Sequence, residues 1–409
     1  MNTRMDRNRL NIGAYILQPY ARSEAHIRDL AASGVDFVVC MDNDRAALDL
    51  FEKYGVGAIV TGVLPGWWGG SGDNAGKLAA TNPLEKYDAA AAKFVDHPAI
   101  WGVDVGDEPS ALDFPHYGKV IDRVEKLFPK QFAYLNLYPN YASVSQNNAA
   151  QTVNQLGTPT YAEHIAKYCE CVPSDYICYD FYLYSINVTK HYENLRVVAD
   201  ACLRTGRSMW IVLQVNSNKE AEWITENELR FQAYTAMAFG AENIIWACYT
   251  AGWWHNQVVD KDGNKTEQYD KMTNVNRELR TIGEEYMRYR RVATHFIGFE
   301  GNEDMAAVQQ EPIAALHTGV FFDVHAEGTP LVAGQMVSRD NDGGVALMLC
   351  AADDPHDKAN KPCTIRFGVM DGKNVQAIGG AGKLPLIRES DGTYAVTIPS
   401  NAGVLITAR

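Results

Sequence analysis

The 409-residue chain has no stretch of about 18 apolar residues, so it offers no candidate membrane-spanning helix. It has no basic excess either: 37 Lys and Arg stand against 50 Asp and Glu, a formal net charge of −13. Nucleic acid and anionic membrane surfaces both need a basic face, so neither is expected as a partner. No Gly-x-Ser-x-Gly elbow is present, nor a glycine-rich loop followed by Lys to cradle a phosphate. The ten histidines show no HxH or HExxH spacing. The eight cysteines form no framework, with Cys169 and Cys171 the only close pair. No metal, no cofactor and reduced thiols are the expectation. The N-terminal segment is charged and leads into a strand-like run without an apolar export core, which points to a cytoplasmic protein.

What is there is a repeating pattern. Apolar runs predict strands over 10–17, 35–41, 57–63, 100–105, 132–137, 176–183, 209–215 and 243–249. Between and after them, apolar residues at three- and four-residue spacing predict helices over 23–33, 44–54, 84–95, 114–128, 161–171, 192–204, 226–239 and 269–290. Ser23 reads as a helix N-cap, and Gly34, Gly55, Gly206 and Gly240 as helix ends. Eight strands each followed by a helix predict a parallel sheet closed on itself, a (β/α)8 TIM barrel. The open doubly wound alternative lacks a GxGxxG after the first strand. From about Ala306 short runs of Val, Leu, Ile and Thr alternate with turns such as Asp371-Gly372 and Asp391-Gly392. Strands over 344–351, 363–369, 376–378, 394–398 and 404–407 predict a C-terminal antiparallel β-sandwich. The expected division is a catalytic barrel over 1–295 and an accessory β-domain over 296–409.

The predicted strand ends carry the chemistry. The fourth strand closes on Gly106-Asp107-Glu108-Pro109, a carboxylate at the mouth of a sheet where a barrel builds its site. The third strand runs into Trp67 and Trp68 within a glycine-rich loop that includes Ser71, and the eighth into Trp253, Trp254 and His255. The fifth ends in Asn136 and Tyr138, the sixth in Asp180 and Tyr182. Sugar rings stack C–H faces on aromatic rings while their hydroxyls need Asn, Gln, Asp and Tyr partners. A carbohydrate is therefore the expected partner. The sequence is compatible with a homo-oligomer.

Residues 102–141, with Gly106-Asp107-Glu108-Pro109 at their centre, resemble the fourth- and fifth-strand region of clan A barrel glycoside hydrolases. The stretches 228–244 and 260–279 resemble bacterial β-galactosidase-like relatives, which also carry a trailing β-domain. The resemblance implies that Glu108 is the general acid/base. It also implies a nucleophilic Glu at the end of strand seven, where this chain has Gln214, and an Asn where it has Asp107. Asp180 is the expected replacement for the second carboxylate. Asp107 is expected to position substrate or to raise Glu108 by like-charge repulsion. Gln214, Asn136 and Tyr249 are expected to orient hydroxyls. Trp67, Trp68, Trp253 and Trp254 are expected as ring platforms, with Tyr138, Tyr182 and His255 beside the substrate. The competing reading is a non-catalytic carbohydrate-binding barrel that lost its strand-seven nucleophile. A barrel lyase or isomerase is a third reading.

Overall fold

The helices begin where short polar side chains satisfy their first backbone N–H groups. Ser23, Asp44, Thr160, Asn187 and Thr225 each accept such a bond, and Thr225 with Glu228 completes a reciprocal capping box. The structure, a computed structural model, describes residues 3–70, 72–142, 155–300, 310–356 and 361–409. Ser71 of the glycine-rich loop and Ala306 at the expected change of pattern lie outside them.

Eight parallel strands close in sequence order: β1 (Asn11–Tyr15), β2 (Phe37–Asp42), β3 (Gly57–Thr61), β4 (Ile100–Asp107), β5 (Phe132–Leu137), β6 (Tyr176–Phe181), β7 (Ser208–Gln214) and β8 (Ala241–Ala247). The helical layer comprises α1 (Glu24–Ala32), α2 (Arg45–Tyr54), α3 (Leu78–Thr81), α4 (Leu84–Ala91), α5 (Phe114–Leu127), α6 (Tyr161–Cys171), α7 (Val188–Thr205), α8 (Glu226–Ala238) and α9 (Glu267–Tyr286). Side chains fill the lumen: Phe37, Ile59, Phe132, Tyr134, Tyr176, Trp210 and Ile245 form its core. The guanidinium of Arg7 caps that stack from below, 5.4 Å from the Phe132 ring and 5.6 Å from that of Trp210.

Two departures from the sequence expectation have local causes. α7 starts four residues early because Asn187 caps it, accepting from the Lys190 N–H. α9 stops at Tyr286 rather than running to 290. The following residues form β9 (Tyr289–Ile297), which pairs with β11 (Leu331–Ser338). An antiparallel partner there offers backbone bonds that override the continuing helical pattern. β9 and β11 join β12 (Val345–Ala351), β14 (Val375–Gly379), β15 (Gly382–Leu384) and β18 (Gly403–Ala408) in one six-stranded sheet. The facing sheet holds β10 (Phe321–Ala326), β13 (Pro362–Val369), β16 (Ile387–Arg388) and β17 (Tyr394–Pro399). Leu331, Leu347, Ile365, Phe367 and Ile406 pack between the two, completing the expected β-sandwich. The six-stranded sheet also packs on the barrel. Met336, Met348 and Leu405 belong to the same core as Leu229, Tyr234 and Met237 of α8.

Candidate active site

The backbone at the end of β4 is bent and clamped. Register slips between Asp104 and Gly106 against β5, a bulge that re-aims the residues after it. Gly106 sits at φ +148°, and a Cβ there would stand 2.1 Å from the Tyr117 hydroxyl, so only glycine fits. The loop after β3 then zips onto the strand end: Asp107 N–H donates to Trp67 O at 2.9 Å and Gly69 N–H to Asp107 O at 3.0 Å. Gly69 presses so close that a Cβ would lie 1.8 Å from Glu108 O. On the other side Glu108 N–H donates to Asn136 O at 2.9 Å. Held from both sides, Glu108 adopts φ +48°, a left-handed conformation rare for a residue with a side chain. Ile16, Cys40 and Trp254 share positive φ after β1, within β2 and after β8, so backbone strain gathers at the carboxyl end of the barrel.

The result is a cavity of about 210 Å³ lined by Tyr15, Trp68, Asp107, Glu108, Asn136, Asp180, Tyr182, Val212 and Trp253. One wall is acidic. The Asn136 amide donates to Asp180 Oδ1 at 2.8 Å and to Asp107 Oδ1 at 3.1 Å, tying two carboxylates to one nitrogen. Trp68 Nε1–H donates to Glu108 Oε2 at 3.2 Å. The facing wall is aromatic: Trp253 meets Tyr15 edge-on at 5.7 Å and Tyr182 at 5.9 Å between ring centroids. Trp254 stands behind, edge-on to Tyr182 at 4.8 Å.

Among the described residues no Lys, Arg or His lines this cavity, so its carboxylates have no counter-ion there. Burial, then the charges of Asp180 and Asp107, push Glu108 up to about 9 against the Trp68 hydrogen bond. Burial and Asp107 raise Asp180 to about 7, and burial raises Asp107 to about 6, with Asn136 opposing both. At neutral pH Glu108 is the carboxyl that holds its proton. Asp104, deeper on β4, is raised by burial to about 7 and accepts from the Gly106 N–H at 2.9 Å. Among the described residues no group of three or more His, Cys, Asp or Glu is arranged to hold a metal ion.

Of the expected site residues, Glu108, Asp180, Asp107, Asn136, Trp68, Tyr182 and Trp253 come together here. The others do not reach the cavity wall. Trp67 points the opposite way from Trp68 and packs in the barrel core at 9% exposure, against 59% for its neighbour. Gln214 is fully buried, its amide consumed by Tyr184 N–H, Ser185 Oγ and Asn216 O. The Tyr138 hydroxyl donates to Gly69 O, bracing the loop that presses on Glu108. Tyr249 packs in the outer core, and the main chain of His255 pairs with Ser217. Tyr15 and Val212 were not anticipated. Both lie on inward-facing strand positions, a parity readable from the alternation of β1 and β7.

No family model and no curated protein sequence matches the chain. Among solved structures, a Paenibacillus sp. cycloisomaltooligosaccharide glucanotransferase complexed with cycloisomaltoheptaose aligns at TM-score 0.55 and 8% identity, over 98% of this chain and 85% of that one. A Thermotoga maritima xylanase 10B aligns at 0.44 and 13%, over 66% and 95%. A Bifidobacterium longum family 51 α-L-arabinofuranosidase aligns at 0.44 and 10%, over 98% and 96%. The first likeness spans barrel and β-domain together and shows the fold. It is the architecture that the clan A resemblance implied. The other two, below 0.5, carry nothing further.

Proposed function

We propose that the protein is a glycoside hydrolase in which Glu108 is the general acid and Asp180 the second carboxylate. The observation that carries this reading is the convergence of Glu108, Asp180 and Asp107 in one aromatic-walled cavity that no cationic side chain lines among the described residues. Cleaving a glycosidic bond needs a proton for the leaving oxygen and a second carboxylate for water or the anomeric carbon. A Glu108 that stays protonated at neutral pH suits the first task, and the Trp68 N–H orients its carboxyl. Asp180, fixed by Asn136, suits the second as base or nucleophile. Asp107 shares the Asn136 amide and holds Glu108 in its protonated form. Trp68, Trp253 and Tyr182 supply the surfaces on which a sugar ring stacks. The eight cysteines are unpaired, in keeping with a cytoplasmic setting. Catalysis by the barrel, with the β-domain that begins at β9 in an accessory role, belongs to the same proposal.

A non-catalytic sugar-binding barrel is the alternative that Gln214 at strand seven invites. Asp180 beside Glu108 supports catalysis instead, because it supplies the carboxylate that strand seven lacks. The test is turnover of a panel of unactivated α- and β-glycosides, with NMR of the first anomer released. Glu108→Gln and Asp180→Asn are each expected to lower kcat by roughly 10²- to 10⁴-fold. Wild type that binds a sugar yet turns over none of the panel would establish the binding-only reading.

A further inference from the structure

The opposite end of the barrel carries a second cavity, of about 260 Å³, that the candidate chemistry does not use. Five arginines from four segments line it: Arg7 before β1, Arg207 at the entry to β7, Arg290 and Arg291 of β9, and Arg339 after β11. Among the described residues the acids on the wall are Asp175 and Glu242. Asp175 pairs with Arg7, Glu242 with Arg339, and Asp200 reaches Arg291 at 2.9 Å. Arg207 spends Nη2 on the carbonyls of Cys169 and Val172, at 3.0 and 2.8 Å, and has no carboxylate partner among the described residues. Nor does Arg290. Two guanidinium charges are thus left over, in a chain that is otherwise strongly acidic.

The hydrogen-bond inventory points the same way. Arg7 Nε, Arg207 Nη1 and Arg291 Nη1 are buried with no acceptor among the described residues. Arg291 is held in place by Asp200 and Thr294 Oγ1, its side chain 8% exposed. These three nitrogens are sealed beneath the surface and take no ligand directly, but with no acceptor beside them they leave the charge of the guanidinium groups around the cavity under-neutralised. An anion with several oxygens supplies acceptors in several directions and neutralises the surplus charge. Guanidinium forks match phosphate geometry better than they match a spherical ion. The space exceeds that of several waters at about 30 Å³ each, so it can admit more than one water-sized group.

We propose that this basal cavity binds a phosphate-class dianion, either inorganic phosphate or the phosphate group of a small monoester. The ligand would bridge the barrel floor to the strand pair β9–β11. The site stands independently of the proposed hydrolase activity.

The test is calorimetric titration of the full chain at low ionic strength with inorganic phosphate and, separately, with glycerol 3-phosphate. Saturable binding of at least one is expected, together with a rise in melting temperature at saturation. Arg290→Ser and Arg207→Ser should each weaken it by roughly tenfold or more, the worth of one charge-assisted contact. Arg290 is exposed on its strand, so its replacement leaves the fold intact, as circular dichroism will verify. Arg123→Ser, removing an exposed arginine elsewhere, should change nothing. Binding of phosphate alone identifies the free ion, and tighter binding of the ester identifies a monoester. Absence of saturable binding for both overturns the proposal. So does affinity unchanged in Arg290→Ser and Arg207→Ser, or lowered equally in Arg123→Ser.

Discussion

Asn136 Nδ2 lies 2.8 Å from Asp180 Oδ1, and the same nitrogen holds Asp107 Oδ1 at 3.1 Å. One neutral amide on β5 therefore sets the spacing of carboxylates from β4 and β6, and opposes the rise that burial imposes on each. Asn136→Ala should lower kcat by about 10- to 100-fold, the worth of one hydrogen bond to a charged group. Asp180 would then be raised further, so the acidic limb of the rate profile should move to higher pH. An unmoved limb would show that Asp180 is not the ionised partner.

The pH dependence follows from the signs. Catalysis needs Glu108 protonated and its partner ionised, so activity should climb as pH rises through about 7 and fall as it passes about 9. Asp107→Asn removes a charge that raises Glu108 and should shift the alkaline limb downward. Stability obeys the same linkage. The folded value of Glu108 lies above its ordinary value of 4.5. Its favourable share is complete below that value and lost as pH rises through the folded one. Glu108→Gln should therefore flatten the fall in melting temperature with rising pH. A steeper fall in the variant would contradict a raised Glu108.

Trp67 and Trp68 are adjacent and should behave oppositely. Trp67→Ala empties a core position and should cost about 3–5 kcal/mol of stability, measured by denaturant titration. Trp68→Ala should leave stability nearly unchanged while raising KM and loosening Glu108, because the exposed ring carries the Nε1–H bond. Equal stability losses for the two would place both rings in the core.

Gln214→Glu introduces at strand seven the residue type that the resemblance to clan A implies there, yet it should not confer that role. The carboxylate would replace an amide that donates to Ser185 Oγ and Asn216 O, in a fully buried position. A loss of about 1–3 kcal/mol or more is expected, with no gain in turnover. Faster turnover in this variant would show that position 214 reaches the substrate.

The mouth of the barrel is legible in the sequence where strand position and residue type coincide. Glu108, Asp180 and Asn136 are polar groups at the ends of apolar runs, and period-two alternation turns them into one mouth. Gln214 has the same inward parity as Val212 and Trp210, but residues 183–185 fold over it and take its amide. No local pattern announces that closure. The Trp67-Trp68 pair reads alike in sequence, although neighbouring residues there face opposite ways. In the β-domain, β9 was hidden because its first residues continue the helical spacing of α9. Only pairing with β11, more than thirty residues on, decides between the two.

The position of α8 has a consequence for how the chain comes apart. Nearly every side chain of this helix is buried, with β7 and β8 on one flank and β11 and β12 on the other. Its hydrophobicity is spread around the axis rather than confined to a stripe, as a helix enclosed by two sheets requires. Removing the C-terminal strands would expose Leu229, Tyr234 and Met237 to water. Heat or denaturant should accordingly melt both halves in a single cooperative event. A protease that nicks the barrel-to-sheet junction should yield fragments that remain associated until the whole molecule unfolds.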